Sequence, residues 1–329
     1  MLEQFGDMAK RITKICQTKL KKFEVDNMNK LNALTQGSFL TNENMSNHTS
    51  YGIGGPAKAY VQPKDEVDLA NILKFAEKNK IPTFFVGSGS NLLVSDDGID
   101  GIVIALAKSL KKLVIKGTTA YAQSGVMLGK FVKECISRSL SGVESLIGVP
   151  GTLGGALIMN AGAFGSEISN YLQKVTVMTT SGELKQYNAD DIDFSYRESS
   201  FKKDEILISA EFELIQSSKE IVVEKKSLAS GGRKKSQPLR YRSAGSIFKN
   251  PKEGAAGFYI DKAGLKGSKS GDAEISPIHA NFFVNHGNAK ASDVVSLIRL
   301  AKSTVKQKFG ITLELEVKTL GFKPGTFKV

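Results

Sequence analysis

The chain has no tryptophan, only two cysteines and only three histidines in 329 residues. Cys16 and Cys135 lie far apart and neither belongs to a C-x-x-C pair, which excludes a disulfide framework and a cysteine-based metal cluster and fits a reducing compartment. A Ser-His-Asp triad would have to be built on His48, His279 or His286. No apolar run approaches the ~18 residues of a membrane span, and the first residues show no apolar core of signal-peptide type. These absences lead us to expect a cytoplasmic protein with no membrane insertion. Zinc spacing and an aromatic RNA-binding signature are also missing.

What is present is charge and glycine. Forty-five Lys and Arg against 33 Asp and Glu give a formal charge of +12, which points to anionic partners. The basic residues are spread along the chain, with only short clusters at Arg233-Lys234-Lys235 and 19–22. That distribution favours a phosphorylated small molecule over nucleic acid. With 41% hydrophobic residues there is material for sizeable cores, and the length suits two or three compact units.

Glycine concentrates in Gly148–Gly165, GVPGTLGGALIMNAGAFG, where six of eighteen residues are Gly, three are Ala and none is charged. Val149, Leu153, Leu157, Ile158, Met159 and Phe164 require burial, so the stretch is no flexible linker. It reads as a tight turn between buried elements or as a bare-backbone cradle for an anion such as phosphate. A second candidate cradle is Gly87-Ser88-Gly89-Ser90-Asn91, between the apolar runs Thr83–Val86 and Leu92–Val94. It matches neither the P-loop nor the dinucleotide fingerprint.

The remaining elements follow from periodicity and punctuation. Residues 1–36 read as an extension, with Phe5, Met8, Ile12, Ile15 and Phe23 at roughly helical spacing. Strands are expected at Ala57–Val61, Thr83–Val86 resuming at Leu92–Val94, Ile102–Leu106, Leu113–Lys116, Thr119–Gln123, Val175–Thr179, Leu184–Tyr187, Ile206–Leu214, Ala280–Asn285 and Ile311–Leu320. Helices are expected at Val67–Lys78, Met127–Ser137, Ile221–Ser236, Gly257–Ala263 and Ala291–Phe309.

Eight stretches, taken together and in order, resemble the bacterial UDP-N-acetylenolpyruvoylglucosamine reductase (MurB) family: TSYGIGGPA (49–57), VGSGSNLLV (86–94), GVPGTLGGALIMNAGAFG (148–165), YRESSFK (196–202), RSAGSIFKNP (242–251), AGFYIDKAGLKG (256–267), HANFFVN (279–285) and LELEVKTLG (313–321). The short interval after Arg197 resembles the shorter subgroup, which lacks an inserted tyrosine-bearing loop. Leu315 stands where the family often has proline, and Ile278 where lysine is common.

The resemblance implies an α+β fold: a two-part FAD-binding domain of the vanillyl-alcohol oxidase (PCMH) type over 37–219, split near 101, and a C-terminal α+β substrate domain over 220–329 whose last strand returns to the flavin. It implies NADPH-dependent, FAD-mediated reduction of UDP-N-acetylglucosamine enolpyruvate to UDP-N-acetylmuramate, for peptidoglycan precursors. FAD would be non-covalent, held by Val86, Gly87, Ser88, Gly89, Ser90, Asn91, Gly148, Val149, Pro150, Gly151, Thr152, Gly154, Gly155, Asn160, Ala161, Gly162, Gly165 and Ile206. Catalytic roles fall to Ser246 as proton donor, Arg197 as carboxylate clamp and Glu316 beside the developing enolate. Arg242, Asn250, Lys262, His279 and Asn281 would contact the UDP-sugar. The chain is expected to be a monomer.

Read without the resemblance, the same residues leave alternatives open. Ser246 after Gly245 is equally a turn hydroxyl, Arg197 a surface cation, and Glu314 competes with Glu316, since strand alternation puts both on one face. Another FAD oxidoreductase of the same fold and a non-catalytic flavin-fold binding protein are the alternatives. The absence of His or Cys from Val86–Asn91 counts against covalent flavin, and the joint presence of Ser246, Arg197 and Glu316 counts against a non-enzyme.

Overall fold

The structure is a computed structural model that describes residues 26–329. The residues at helical spacing between 5 and 23 lie outside the described residues. Residues 26–34 are helical, and Leu31 within them is buried against the next helix.

The first sheet runs in the order Ser38–Asn44, Pro56–Gln62, Ile99–Ala105, Thr83–Val86. Its first pair is antiparallel and the other two pairs are parallel. The parallel strands need a crossover, and the helix Glu66–Lys78 supplies it. Its apolar face, Leu69, Ile72, Leu73 and Ala76, packs on Ala59, Val61, Ile102 and Ile104. Asp65 caps it by accepting from the Asp68 N–H at 2.9 Å. Asp68 is fully buried and its carboxylate accepts backbone N–H groups from Gln36 (3.0 Å), Gly37 (3.0 Å) and Lys64 (2.8 Å). It therefore pins the chain entering the first sheet to the crossover helix.

The second sheet is antiparallel throughout, in the order Leu184–Asn188, Leu172–Thr179, Glu205–Glu213, Thr119–Gln123, Leu113–Lys116. Its core gathers Leu128, Phe131, Val132, Leu153, Leu157 and Phe212, with the Phe131 and Phe212 rings 5.0 Å apart. The helices Leu128–Ser137 and Leu153–Ile158 contribute here.

The C-terminal part holds three short antiparallel strands, Lys269–Ser270, Ala273–Ile275 and Phe283–Asn285. The helices Ala256–Lys262 and Ala291–Phe309 pack with them around Phe248, Phe283, Ile260, Val294 and Ile298. Tyr51, Ile53 and Leu93 from the first region share this core. Asp96 accepts the Ala291 (2.7 Å) and Ser292 (2.9 Å) N–H groups with its two oxygens, so a residue of the N-terminal half caps a C-terminal helix.

Three expectations need correction. Leu92–Val94 does not resume the first sheet: it pairs in parallel with Lys318–Leu320, the end of the chain. Of the strand expected at 311–320 only those last three residues form a ladder, because 314–317 bond irregularly to 247–249. Of 280–285 only Phe283–Asn285 is strand. The glycine stretch also hides a helix, Leu153–Ile158, capped where the Thr152 hydroxyl accepts from Gly155 N–H at 3.3 Å. Gly154 is bare there because a Cβ would stand 2.8 Å from that of Ser124.

Asp68→Ala removes the one acceptor that three backbone N–H groups share. It is expected to lower unfolding free energy by about 2–4 kcal/mol, read as a lower urea midpoint. A midpoint equal to wild type would show that the carboxylate carries no such tie.

Candidate active site

A cleft of about 600 Å³ lies between the two glycine-rich loops and the C-terminal part. All of residues 86–91 line it, as do Gly148, Val149, Pro150, Gly151, Thr152, Gly154, Gly155, Ala161, Gly162 and Ile206. The loops need glycine for identifiable reasons. Gly89 sits at φ +67°, and any Cβ on it would run into the His48 carbonyl. Gly87 faces Thr152, whose hydroxyl would stand 2.5 Å from a Cβ. Bare backbone N–H groups on both walls make a concave donor surface.

Arg197, Glu316 and Ser246 all reach this cleft, although they come from separate stretches of the chain. Arg197 sits in the tight connection between Phe194–Ser195 and Glu198–Ser199, at φ +59°. A left-handed conformation in a residue with a Cβ is strained by about 1–2 kcal/mol and marks a position held by its surroundings. The hold is visible: Arg197 Nη2 donates to the Gly162 carbonyl at 3.2 Å, and Nε donates to Glu316 Oε1 at 3.0 Å. The Tyr196 ring stands 4.9 Å from the guanidinium carbon.

Glu316 is fixed through its backbone. Its N–H donates to the Ile247 carbonyl at 2.8 Å, and its carbonyl accepts from Asn91 Nδ2 at 3.2 Å. Burial pushes its carboxyl above the usual carboxylate range, while the Arg197 guanidinium pulls the other way. Glu314 is exposed. The broken strand thus separates two carboxylates that regular alternation would have kept together.

Ser246 follows Gly245, which is at φ +76°. It lies at the junction of the cleft with a second cavity of about 290 Å³, lined also by Asn250, Gly257, Asp261, Lys266, His279 and Asn281. The segment is clamped by Asn281, whose Oδ1 accepts the Phe248 N–H (3.0 Å) and whose Nδ2 donates to the Phe248 carbonyl (2.8 Å). His279 Nδ1 accepts the Asn281 N–H at 3.2 Å, which leaves Nε2 as the protonated ring nitrogen. Burial lowers the His279 pKa and so favours that neutral ring.

The structure does not bring every expected residue to the cleft. Arg242 lies with its guanidinium over Gly52, which leaves it room by lacking a side chain, and it lines neither cavity. Lys262 is exposed with its ammonium 5.7 Å from the Phe258 ring, and Lys266 lines the second cavity in its place. Asn281 lines that cavity, but its amide is spent on Phe248, so it positions the Ser246 segment. Asn160 is buried beneath the cleft wall, with Nδ2 on Glu167 Oε2 (2.7 Å) and the Ser195 carbonyl (3.1 Å). Gly165 lies outside the lining, at φ +80°.

Sequence reasoning missed Ser50, Ser124, Arg233 and Lys318, which line the cleft. Ser124 follows a strand with no motif around it, and Arg233 read as part of a short basic cluster.

A flavin dinucleotide fits this donor set. Ser88 Oγ, Ser124 Oγ and Arg233 Nε are buried without a hydrogen-bond partner, and all three residues line the cleft. Orphaned polar atoms of this kind need a polar ligand. Phe85, Leu92, Leu106 and Leu207 add apolar wall, which suits a flat ring system.

Comparison with known proteins gives the same picture. A family model described as the UDP-N-acetylenolpyruvoylglucosamine reductase C-terminal domain matches residues 237–320, and a FAD binding domain model matches 57–188. A UDP-N-acetylenolpyruvoylglucosamine reductase from Caldanaerobacter subterraneus is 40% identical over 291 residues, 88% of this chain and 96% of that protein. One from Clostridioides difficile is 40% identical, covering 89% and 97%. The crystal structure of the reductase from Thermus caldophilus superposes with a TM-score of 0.76 at 34% identity, covering 87% of this chain and 99% of that one.

The raised Glu316 pKa fixes a sign. Between the unfolded value near 4.5 and the higher folded value, the folded chain keeps a proton that the unfolded chain has lost. Stability from this group is therefore complete below the unfolded pKa and lost as pH rises through the folded one. Glu316→Gln should gain stability relative to wild type as pH rises from about 4 to 8, measured as the difference in urea midpoints. A difference that moves in wild type's favour would contradict the assignment.

Proposed function

The chain belongs to the UDP-N-acetylenolpyruvoylglucosamine reductase family, and on that premise we propose how its residues divide the reaction. It is a FAD-dependent enzyme that reduces UDP-N-acetylglucosamine enolpyruvate to UDP-N-acetylmuramate with NADPH as hydride donor, in peptidoglycan precursor synthesis. FAD, when bound, supplies the hydride chemistry, accepting from NADPH and donating to the β-carbon of the enol ether. Residues 37–219 form the part that holds it and 220–329 the part that holds substrate.

The observation that carries the assignment of roles is the convergence of Arg197, Glu316 and Ser246 on one cleft walled by both glycine-rich loops. Residues 86–91 and 148–155 offer backbone donors to the pyrophosphate. Ala161 and Gly162 leave the ring free of side chains. Arg197 grips the substrate carboxylate bidentately, with Glu316 beside it. When hydride reaches the β-carbon, negative charge spreads into that carboxylate. Arg197 stabilises it there, and Glu316, whose protonated form burial favours, donates to the same charge when it carries a proton. Ser246 Oγ then delivers a proton to the α-carbon. An alcohol donates only to a strongly basic acceptor held close, and the enolate is such an acceptor.

The second cavity opens beside Ser246, so the uridine diphosphate end of the substrate extends into it, toward Asn250, Lys266 and His279. The positive net charge suits NADPH and a carboxylated diphosphate. No helix among the described residues is long and apolar enough to cross a membrane. The reading includes a cytoplasmic location, where the nucleotide substrates reside, and a monomer.

Two measurements test it. The purified protein should be yellow and should oxidise NADPH in step with the enolpyruvyl substrate; a protein that cannot be loaded with FAD would refute it. Ser246→Ala should keep flavin reduction by NADPH and slow reoxidation by the enolpyruvyl substrate at least about 100-fold. Equal loss in both half-reactions would remove Ser246 from the proton-donor role.

A further inference from the structure

One charged group in the cleft has no use in the roles above. Arg233 sits in the last turn of the helix Lys219–Ser236, lines the cleft and is half-buried. Its Nε has no hydrogen-bond partner, and among the described residues no carboxylate pairs with it. The two cleft carboxylates are committed elsewhere: Glu316 to Arg197 at 3.0 Å and Glu205 to the Tyr187 hydroxyl at 2.6 Å. Removing a guanidinium from water without an anion is unfavourable, and Arg197 adds like-charge repulsion.

The placement is built rather than incidental. The helix is capped by Ser218, whose hydroxyl accepts the Ile221 N–H at 3.3 Å. It buries Val222 and Ala229, and Lys225 Nζ donates to Ser141 Oγ at 3.0 Å. Gly232 lets the chain pass Phe164, whose ring would stand 3.0 Å from a Cβ there. Arg233 comes close to Gly148, its Cδ 3.4 Å from where a Gly148 Cβ would stand. The Arg233 stem therefore meets the 148–155 loop at its first residue, and its guanidinium carbon stands 5.8 Å from the Phe164 ring.

We propose that Arg233 is the counter-charge for the pyrophosphate of the bound FAD, completing with a side chain the anion site that the two glycine-rich loops form with backbone. The proposal rests on the cofactor reading above. A pyrophosphate carries its charge in every redox state and stays resident through turnover, whereas the carboxylate of the substrate and the phosphates of NADPH leave. Only a resident anion offsets this half-buried guanidinium throughout the cycle. The planar fork of arginine also matches two phosphate oxygens, which the point charge of lysine does not.

The test is FAD affinity of the full chain, stripped of flavin and titrated by fluorescence quenching, for wild type, Arg233→Met and Arg233→Lys at several salt concentrations. The Met variant should raise the FAD dissociation constant at least tenfold and flatten its salt dependence. The Lys variant should recover much of both, with the circular dichroism of all three alike. A dissociation constant within twofold of wild type for the Met variant would overturn the proposal. So would weakened binding with unchanged salt dependence that lysine does not rescue. An unchanged affinity for oxidised FAD with a lowered midpoint potential would also overturn it, since the charge would then serve the ring. Failure of wild type to bind FAD would fault the cofactor reading instead.

Discussion

The contact between Arg197 and Glu316 is the constraint on which the site depends. It joins residues 119 positions apart in the chain, one in a strained two-residue connection and the other in the terminal segment. In water such a pair is worth little. Here it stands in a cleft whose burial pushes the Glu316 carboxyl up while the Arg197 guanidinium pulls it down, so its geometry bears on proton affinity as well as distance.

Holding that contact accounts for much of the architecture. The terminal strand must return to the first region, and it does so by pairing Lys318–Leu320 in parallel with Leu92–Val94, directly after the 86–91 loop. Lys318 N–H donates to the Asn91 carbonyl and Asn91 Nδ2 to the Glu316 carbonyl across the junction, so the loop read as a cofactor cradle also places Glu316. Asp96 capping Ala291–Phe309 and the Asn285 amide donating to the Tyr51 carbonyl at 2.9 Å lock the same two regions together. The Asn281 clamp on Phe248 brings Ser246 in from the third side. Asn91, Asp96 and Asn285 each use a side chain from one region to satisfy backbone groups of the other, which fixes distance and direction together.

Much of this was legible in the sequence because it is local. Helix 291–309 announces itself by apolar spacing, Asp293 at its start and lysines at its end. The two glycine loops announce themselves by having no side chains to pack. What was not legible is where elements meet. Leu92–Val94 looks like a continuation of Thr83–Val86, and nothing in its composition says that its partner is the end of the chain. Glu314 and Glu316 are equivalent by alternation, and only the irregular bonding of 314–317 to 247–249 separates them. Arg242 and Lys262 looked like substrate contacts by position in a motif, yet Arg242 lies over the distant Gly52 and Lys262 beside Phe258 one helical turn away. Ser124 and Arg233 carried no signal, because an orphaned buried polar atom exists only once the fold has closed.

The central claim is that one cleft serves two half-reactions, with Arg197, Glu316 and Ser246 needed for the second. The most direct measurement is an anaerobic single turnover. Protein reduced by one equivalent of NADPH and freed of NADP is mixed with UDP-N-acetylglucosamine enolpyruvate, and flavin absorbance is followed while the product is quantified. The account predicts that the yellow absorbance returns only with substrate, with one UDP-N-acetylmuramate formed per flavin. Return of colour without substrate at the same rate, or reoxidation without that product, would contradict it.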